Sequence, residues 1–260
     1  MEVKGYAARL DSGARRSRRQ SIALWVVTVW KRPQERRIVL ALLVAAAAAV
    51  AFARVTEDYL TNDPLARWDV SFARWLFAHR SAAGVDIFRV ITDVGSPAVS
   101  AVVAAAVCIL LFRRRQLADA ALLPAALAGA ELLNLALKVS FHRARPEVSF
   151  VHLDTYSYPS GHVMVAAAVY GAFGYLLWGR VDSRRRRLSI AAAMLAIVVL
   201  ISVSRLYLGV HYLSDVLGGL AAGTSWLAVA IALRMLYGER FAVGFAGSRL
   251  DDLARRLTLS

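Results

Sequence analysis

The chain has 260 residues, 58% of them hydrophobic, a mean hydropathy of +0.52 and a formal net charge of +14. A water-soluble domain of this length carries more polar surface, so the composition excludes that class and points to a membrane protein. The cations are clustered rather than spread, so they read as a topology signal and an attraction to anionic lipid, not as a nucleic-acid footprint.

Residues 1–37 come first and hold ten Lys and Arg, with Arg15, Arg16, Arg18 and Arg19 in one cluster. This basic segment reads as disordered, either lying near lipid headgroups or simply solvated. Ile22–Trp30 is too short to span and reads as interfacial. Six largely uncharged runs of about 16–19 residues follow: Ile38–Ala53, Val94–Phe112, Ala120–Leu137 (interrupted by Glu131), Val163–Trp178, Leu188–Ser204 and Val216–Leu233. Each approaches the ~20 residues that cross a ~30 Å hydrocarbon layer, and flanking Arg side chains can snorkel. No run alternates polar and apolar residues, so the spans are helices and the fold class is all-α with six transmembrane helices.

Ala51-Phe52-Ala53 mimics a signal-cleavage site, but a charged region of 37 residues before the apolar run is too long for a typical signal peptide, and the first span is read as uncleaved. Between the first two spans, Trp68, Phe72 and Trp75 fall at i, i+4, i+7, with Arg67, Asp69 and Arg74 elsewhere around the helix. That is an amphipathic surface helix, shaping a lipid entrance or serving as a plain aromatic anchor. Cys108 lies within the second span and reads as a small buried hydrophobe. Within the third, Glu131, Asn134 and Lys138 share a face; Glu131, an ionisable group at membrane depth, is either a functional residue or, the reading favoured, a structural hydrogen bond toward a neighbouring span.

Charge sets the orientation. With the N-terminus inside, cytoplasmic parts carry 23 of the 32 Lys and Arg: residues 1–37, Arg113–Arg115, Arg180–Arg187 and everything from Arg234 onward. Cations resist translocation, so both termini are expected in the cytoplasm of a plasma-membrane protein. Three polar segments then share the outer face. They are Lys138-x6-Arg145-Pro146, Pro159-Ser160-Gly161-His162, and Ser204-Arg205-x5-His211-x3-Asp215.

These residues suit phosphoryl transfer without a metal. Lys138, Arg145 and Arg205 supply fixed positive charge for phosphate oxygens, the two guanidinium groups bidentately. Ser160 offers a hydroxyl and Gly161 a backbone N–H at what reads as a helix N-terminus. His211 and Asp215, four apart, share a helix face, so the carboxylate can fix the imidazole tautomer and leave the other nitrogen free to attack phosphorus. His162 is then the acid for the leaving oxygen and the base for water. Arg143 is read as touching the headgroup, His142 as facing solvent, and His152 has no role. The loop with Phe150, Tyr156 and Tyr158 is too short for an elaborate headgroup pocket. Gly219 and Gly223 form a small-xxx-small pair for close helix packing.

Together the three segments resemble the signature of the type 2 phosphatidic acid phosphatase family, in its six-span bacterial membrane branch, whose site is also similar to that of vanadium haloperoxidases. The motifs lie within roughly residues 90–235. The resemblance implies a phosphohistidine on His211 oriented by Asp215, with His162 as acid, and Lys138, Arg145, Ser160, Gly161 and Arg205 holding phosphate. It implies no metal and no other cofactor. The expected organisation is a basic segment at 1–37, a membrane phosphatase domain at 38–237 and a cytoplasmic tail at 238–260. The expected activity is hydrolysis of a lipid phosphate or diphosphate, such as undecaprenyl or decaprenyl diphosphate, phosphatidylglycerophosphate or phosphatidic acid. A lipid phosphotransferase and a non-catalytic lipid-binding protein are the alternatives. The expected partners are that substrate and the surrounding lipids, with no nucleic acid; the sequence gives no oligomeric state.

Overall fold

The structure is a computed structural model that describes residues 32–149 and 155–258, with side chains described through Gly238. The arginine cluster at 15–19, the stretch Ile22–Trp30, Phe150 and His152 lie outside the described residues. The chain divides into two compact units, Met1–Leu40 and Ala41–Ser260. All the packing and the site described below belong to the second.

Among the described residues every regular element is a helix: α1 Pro33–Thr61, α2 Pro64–Ala78, α3 Ala82–Val94, α4 Pro97–Arg113, the short α5 Leu117–Ala120, α6 Leu122–Phe141, α7 Gly161–Trp178, α8 Arg184–Tyr207 and α9 Leu213–Thr258. Five helical segments are long and apolar enough to cross a membrane: α1, Leu117–Phe141, α7, α8 and Leu213–Gly238. The pair α3 and α4, bent by 40°, brings the number to six where it is counted as one span. The protein is therefore an all-α, multi-pass membrane protein.

The second crossing corrects the sequence reading. Val94 does not open that span; it closes α3, and Ser96 then caps α4 by accepting a hydrogen bond from Val99 N at 3.2 Å. Pro97, at the first position of α4, has no N–H to continue the preceding helix, so the axis bends here. Asp86, Arg89 and Asp93 had hidden the first half of the crossing by interrupting its apolar pattern.

Helix α7 is the axis of the bundle. Ten of its residues are buried, from Val163 to Leu176, and it packs against α9, α8 and α6. Its many Ala residues and the glycines of α9 let the backbones approach closely. A Cβ on Gly219 would stand 2.6 Å from Ser160 O, and one on Gly223 would press into Met164 O. The small-xxx-small pair does the packing read for it.

Polar anchors sit at both ends of this axis. At one end Asp119 accepts from Arg180 at 2.8 Å and from Arg234 at 2.7 Å, joining α5, the end of α7 and α9. At the other end gather the last turns of α1, α6 and α8, the first turns of α7 and α9, and α2.

Because helices in lipid associate through close packing rather than a hydrophobic driving force, Gly223→Ala should destabilise the bundle by about 1–3 kcal/mol, as overpacking typically does. Thermal unfolding in detergent checks this: a clear drop in midpoint is expected, whereas Gly179→Ala, whose Cβ would meet nothing nearer than 3.7 Å, should leave the midpoint unchanged.

Candidate active site

Helix α9 begins at Leu213, so Asp215 is its third residue and Tyr212 its cap. Asp215 Oδ2 accepts from the Tyr212 backbone N–H at 2.8 Å, the return arm of a capping box. This local closure turns the carboxylate back toward His211, whose Nδ1 lies 3.3 Å from Oδ2. Ser157 donates to the same oxygen through a short hydrogen bond. Asp215 is wholly buried and His211 nearly so.

The tautomer of His211 follows from its second neighbour. Arg145 Nη1 lies 3.3 Å from Nε2, and a guanidinium can only donate. Nε2 therefore accepts, and the ring proton sits on Nδ1, facing Asp215. Burial holds the imidazole pKa down at about 3, against the pull of the Asp215 hydrogen bond and charge. The neutral ring with Nε2 unprotonated is the form a nucleophile needs.

Arg145 is braced on three sides. It donates to Thr155 O and Thr155 Oγ1 at 2.8 Å each and to Val210 O at 2.7 Å. Burial lowers its pKa, with Asp215 opposing. Lys138, in the last turn of α6, donates to Tyr156 O. Arg205, in the last turn of α8, donates to Thr92 Oγ1 of α3 at 2.8 Å, while its Nε is buried without a partner among the described residues. His162, in the first turn of α7, sits in the electrostatic field of Arg205, His211, Arg145 and Lys138.

Ser160 caps α7, and its backbone N–H donates to Asp215 O at 3.0 Å. Its hydroxyl is buried and has no partner among the described residues. A Cβ on Gly161 would stand 2.7 Å from Asn134 Nδ2, so that amide would have to move aside. The first N–H groups of α7 have no partner within the helix, as at any helix N-terminus. An orphaned hydroxyl, an orphaned guanidinium nitrogen and a helix N-terminus are donors suited to an anion with several oxygens. All eight residues read from the sequence thus gather at one end of the bundle.

Several neighbours were not legible beforehand. Arg143 is not a headgroup contact. Its guanidinium is buried, donating to Asp215 Oδ1 at 2.6 Å, Ser214 Oγ at 2.6 Å and Asp69 Oδ2 at 2.9 Å. The rings of Tyr59 and Tyr212 cover it at 4.5 and 4.4 Å. Burial alone would lower its pKa, but Asp215 and Asp69 outweigh it and raise it. Asp69, Ser157, Ser214 and Thr92 had no role from the sequence. The one hint was Asp69 as the single acidic residue of an aromatic-rich helix. Among the described residues Glu131 Oε1 and Asn134 Oδ1 are buried without a hydrogen-bond partner, so Oε1 does not make the interhelical bond read for Glu131. His142 faces solvent as read, and Tyr158 is fully buried, stacked on Tyr59 and Phe52 and bonded to Thr56 Oγ1 at 2.7 Å.

Comparison with known proteins gives the same region. The PAP2 superfamily model matches residues 119–237. Phosphatidylglycerophosphatase B of Bacillus subtilis (strain 168) is 42% identical over 96 residues, 35% of this chain and 46% of that protein, so the chain spans about half the length of that relative. A crystal structure described as the first transmembrane PAP2 type phosphatidylglycerolphosphate phosphatase from Bacillus subtilis aligns at TM-score 0.66 and 27% identity, covering 72% of this chain and 94% of that one.

The depressed pKa of His211 has a consequence for stability. Its folded value, about 3, lies below the ~6.5 of an unfolded histidine, so the unfolded chain binds the extra proton between those values. Stability therefore falls as pH drops from about 6.5 toward 3. Unfolding midpoints at pH 7 and pH 4.5 should fall less in His211→Gln than in the wild type; an equal fall would mean that His211 is not held neutral.

Proposed function

Starting from the PAP2 superfamily domain carried by residues 119–237, we propose that the protein hydrolyses the phosphate of a membrane lipid through a phosphohistidine on His211. The observation that carries this reading is the orientation of His211: Nδ1–H on Asp215 and Nε2 turned toward Arg145, at the end of the bundle that also holds the Ser160 hydroxyl and Arg205 Nε, both unpartnered among the described residues.

A phosphate held by Arg145, Arg205, Lys138, Ser160 Oγ and the Gly161 N–H presents phosphorus to Nε2. The Nε2–P bond forms as the P–O bond to the lipid breaks, and His162, protonated once the phosphate anion offsets the surrounding cations, gives its proton to the departing lipid oxygen. Asp215 stabilises the positive imidazole that results. His162, now neutral, takes a proton from water; the water oxygen attacks phosphorus, the N–P bond breaks and phosphate leaves. Charge spread over the phosphoryl oxygens is met by groups already in place, which is where most of the rate gain arises.

The asymmetry of Lys and Arg supports an outward-facing site with both termini in the cytoplasm. It equally supports basic and C-terminal tails at 1–37 and 238–260 flanking the membrane domain. The names borne by the two Bacillus subtilis relatives support phosphatidylglycerophosphate as the first substrate to try. Polyprenyl diphosphates and phosphatidic acid suit the same chemistry.

The test is phosphate release from a panel of these lipids by purified protein in detergent, with EDTA present. Activity should persist in EDTA, since every step is assigned to a side chain. His211→Ala should lose at least about a thousandfold and Asp215→Asn roughly a hundredfold, the scale of a lost nucleophile or its support. Full activity in His211→Ala would refute the mechanism, and transfer to an added alcohol without phosphate release would mark a phosphotransferase.

A further inference from the structure

Two wholly buried carboxylates, Asp69 on α2 and Asp215 on α9, face one buried guanidinium, Arg143, which lies just beyond α6. We propose that Asp69 and Arg143 are positioning residues for the His211–Asp215 pair, together fixing the carboxylate and leaving one net negative charge to balance the imidazole when it becomes positive. The proposal rests on His211 being the nucleophile.

The geometry divides the labour. Asp215 Oδ2 is taken up by Tyr212 N–H, Ser157 and His211. Its other oxygen is held by Arg143 alone among the bonds at that atom, at 2.6 Å. A carboxylate pinned at both oxygens cannot rotate about its last bond, so the direction of its pull on His211 is set. Arg143 is in turn clamped between Tyr59 and Tyr212 and aimed by its second arm to Asp69. Asp69 also accepts from Ser214 N–H at 3.0 Å and from the Ser214 hydroxyl, so the first turn of α9 and the guanidinium share one anchor.

Charge gives the second part. An Arg143–Asp215 pair by itself is neutral and would offer little to a cationic imidazole in a buried site. With Asp69 ionised the group of three carries one negative charge. Breaking one arm of such a cluster leaves an uncompensated buried charge, which is costly. Asp69 occupies the buried face of α2 with Ala66 and Ala73, while Trp68 and Trp75 are exposed on the other side. The same short helix therefore presents aromatic side chains outward and sets the electrostatics of the site inward.

Initial rates against lipid phosphate concentration, on monodisperse protein in detergent, separate this from a merely structural role. Asp69→Asn keeps an oxygen for Ser214 N–H but removes the charge opposite Arg143. It should lower kcat at least tenfold with KM within threefold, because substrate binding groups are untouched. Arg143→Met should lower kcat about a hundredfold, again with little change in KM. Arg143→Lys, which keeps the charge but loses one arm, should recover part of that loss. The double variant Asp69→Asn/Arg143→Met should be no worse than twofold below Arg143→Met. Should Arg143→Met fail to fold, Arg143→Lys and Asp69→Asn decide the matter by the same split. Folded Asp69→Asn and Arg143→Lys with kcat within twofold of wild type overturn the proposal, as does a loss confined to KM. His211→Ala in the same assay keeps the two readings apart: its full activity removes the nucleophile, whatever Asp69 does.

Discussion

The site depends on a buried positive charge held between two buried carboxylates. Arg143 ties Asp215 to Asp69, and with them the start of α9, the end of α6 and the middle of α2. Ion pairs at such depth gain little net stability, because each charge is costly to take out of water. What they do is fix geometry: neither partner can move without stranding the others. Three helices that meet in an apolar bundle through small side chains alone would slide past one another far more easily.

The second constraint is the close approach of α7 and α9. Gly219 and Gly223 bring α9 against the first turns of α7, which is also where Ser160 and Gly161 present their donors. Because Ser160 N–H bonds Asp215 O, the anion-suited end of α7 and the His211–Asp215 pair are held in register by backbone. Packing and chemistry therefore share residues. Substitutions that loosen this contact would disturb the proposed phosphate donors and the proposed nucleophile together.

Much of this was legible in the sequence, for physical reasons. Clusters of charge punctuate the apolar runs, so the five helical segments long and apolar enough to cross could be read directly. The three polar segments carry their chemistry in local spacing, and all eight of their residues come together. The rest depended on contacts between distant parts of the chain. Asp69 and Arg143 are 74 positions apart, and nothing in either neighbourhood announces the pairing. Read locally, Arg143 was one more cation beside a phosphate motif, although its actual partners are carboxylates. Helix α3 was missed because Asp86, Arg89 and Asp93 make it amphipathic rather than uniformly apolar. Glu131 was given a bonded partner because buried carboxylates usually have one, and here its buried oxygen does not.

The central claim is that His211 carries the phosphoryl group between lipid and water. Its most direct test is to mix the protein with lipid labelled at the phosphate, quench in alkali within milliseconds to seconds, and locate protein-bound label by peptide mass spectrometry. The account predicts label on His211 that is stable in alkali and lost in acid, appearing before free phosphate and absent from His211→Ala. Phosphate released at full rate with no label on His211, or label on another residue, would contradict it.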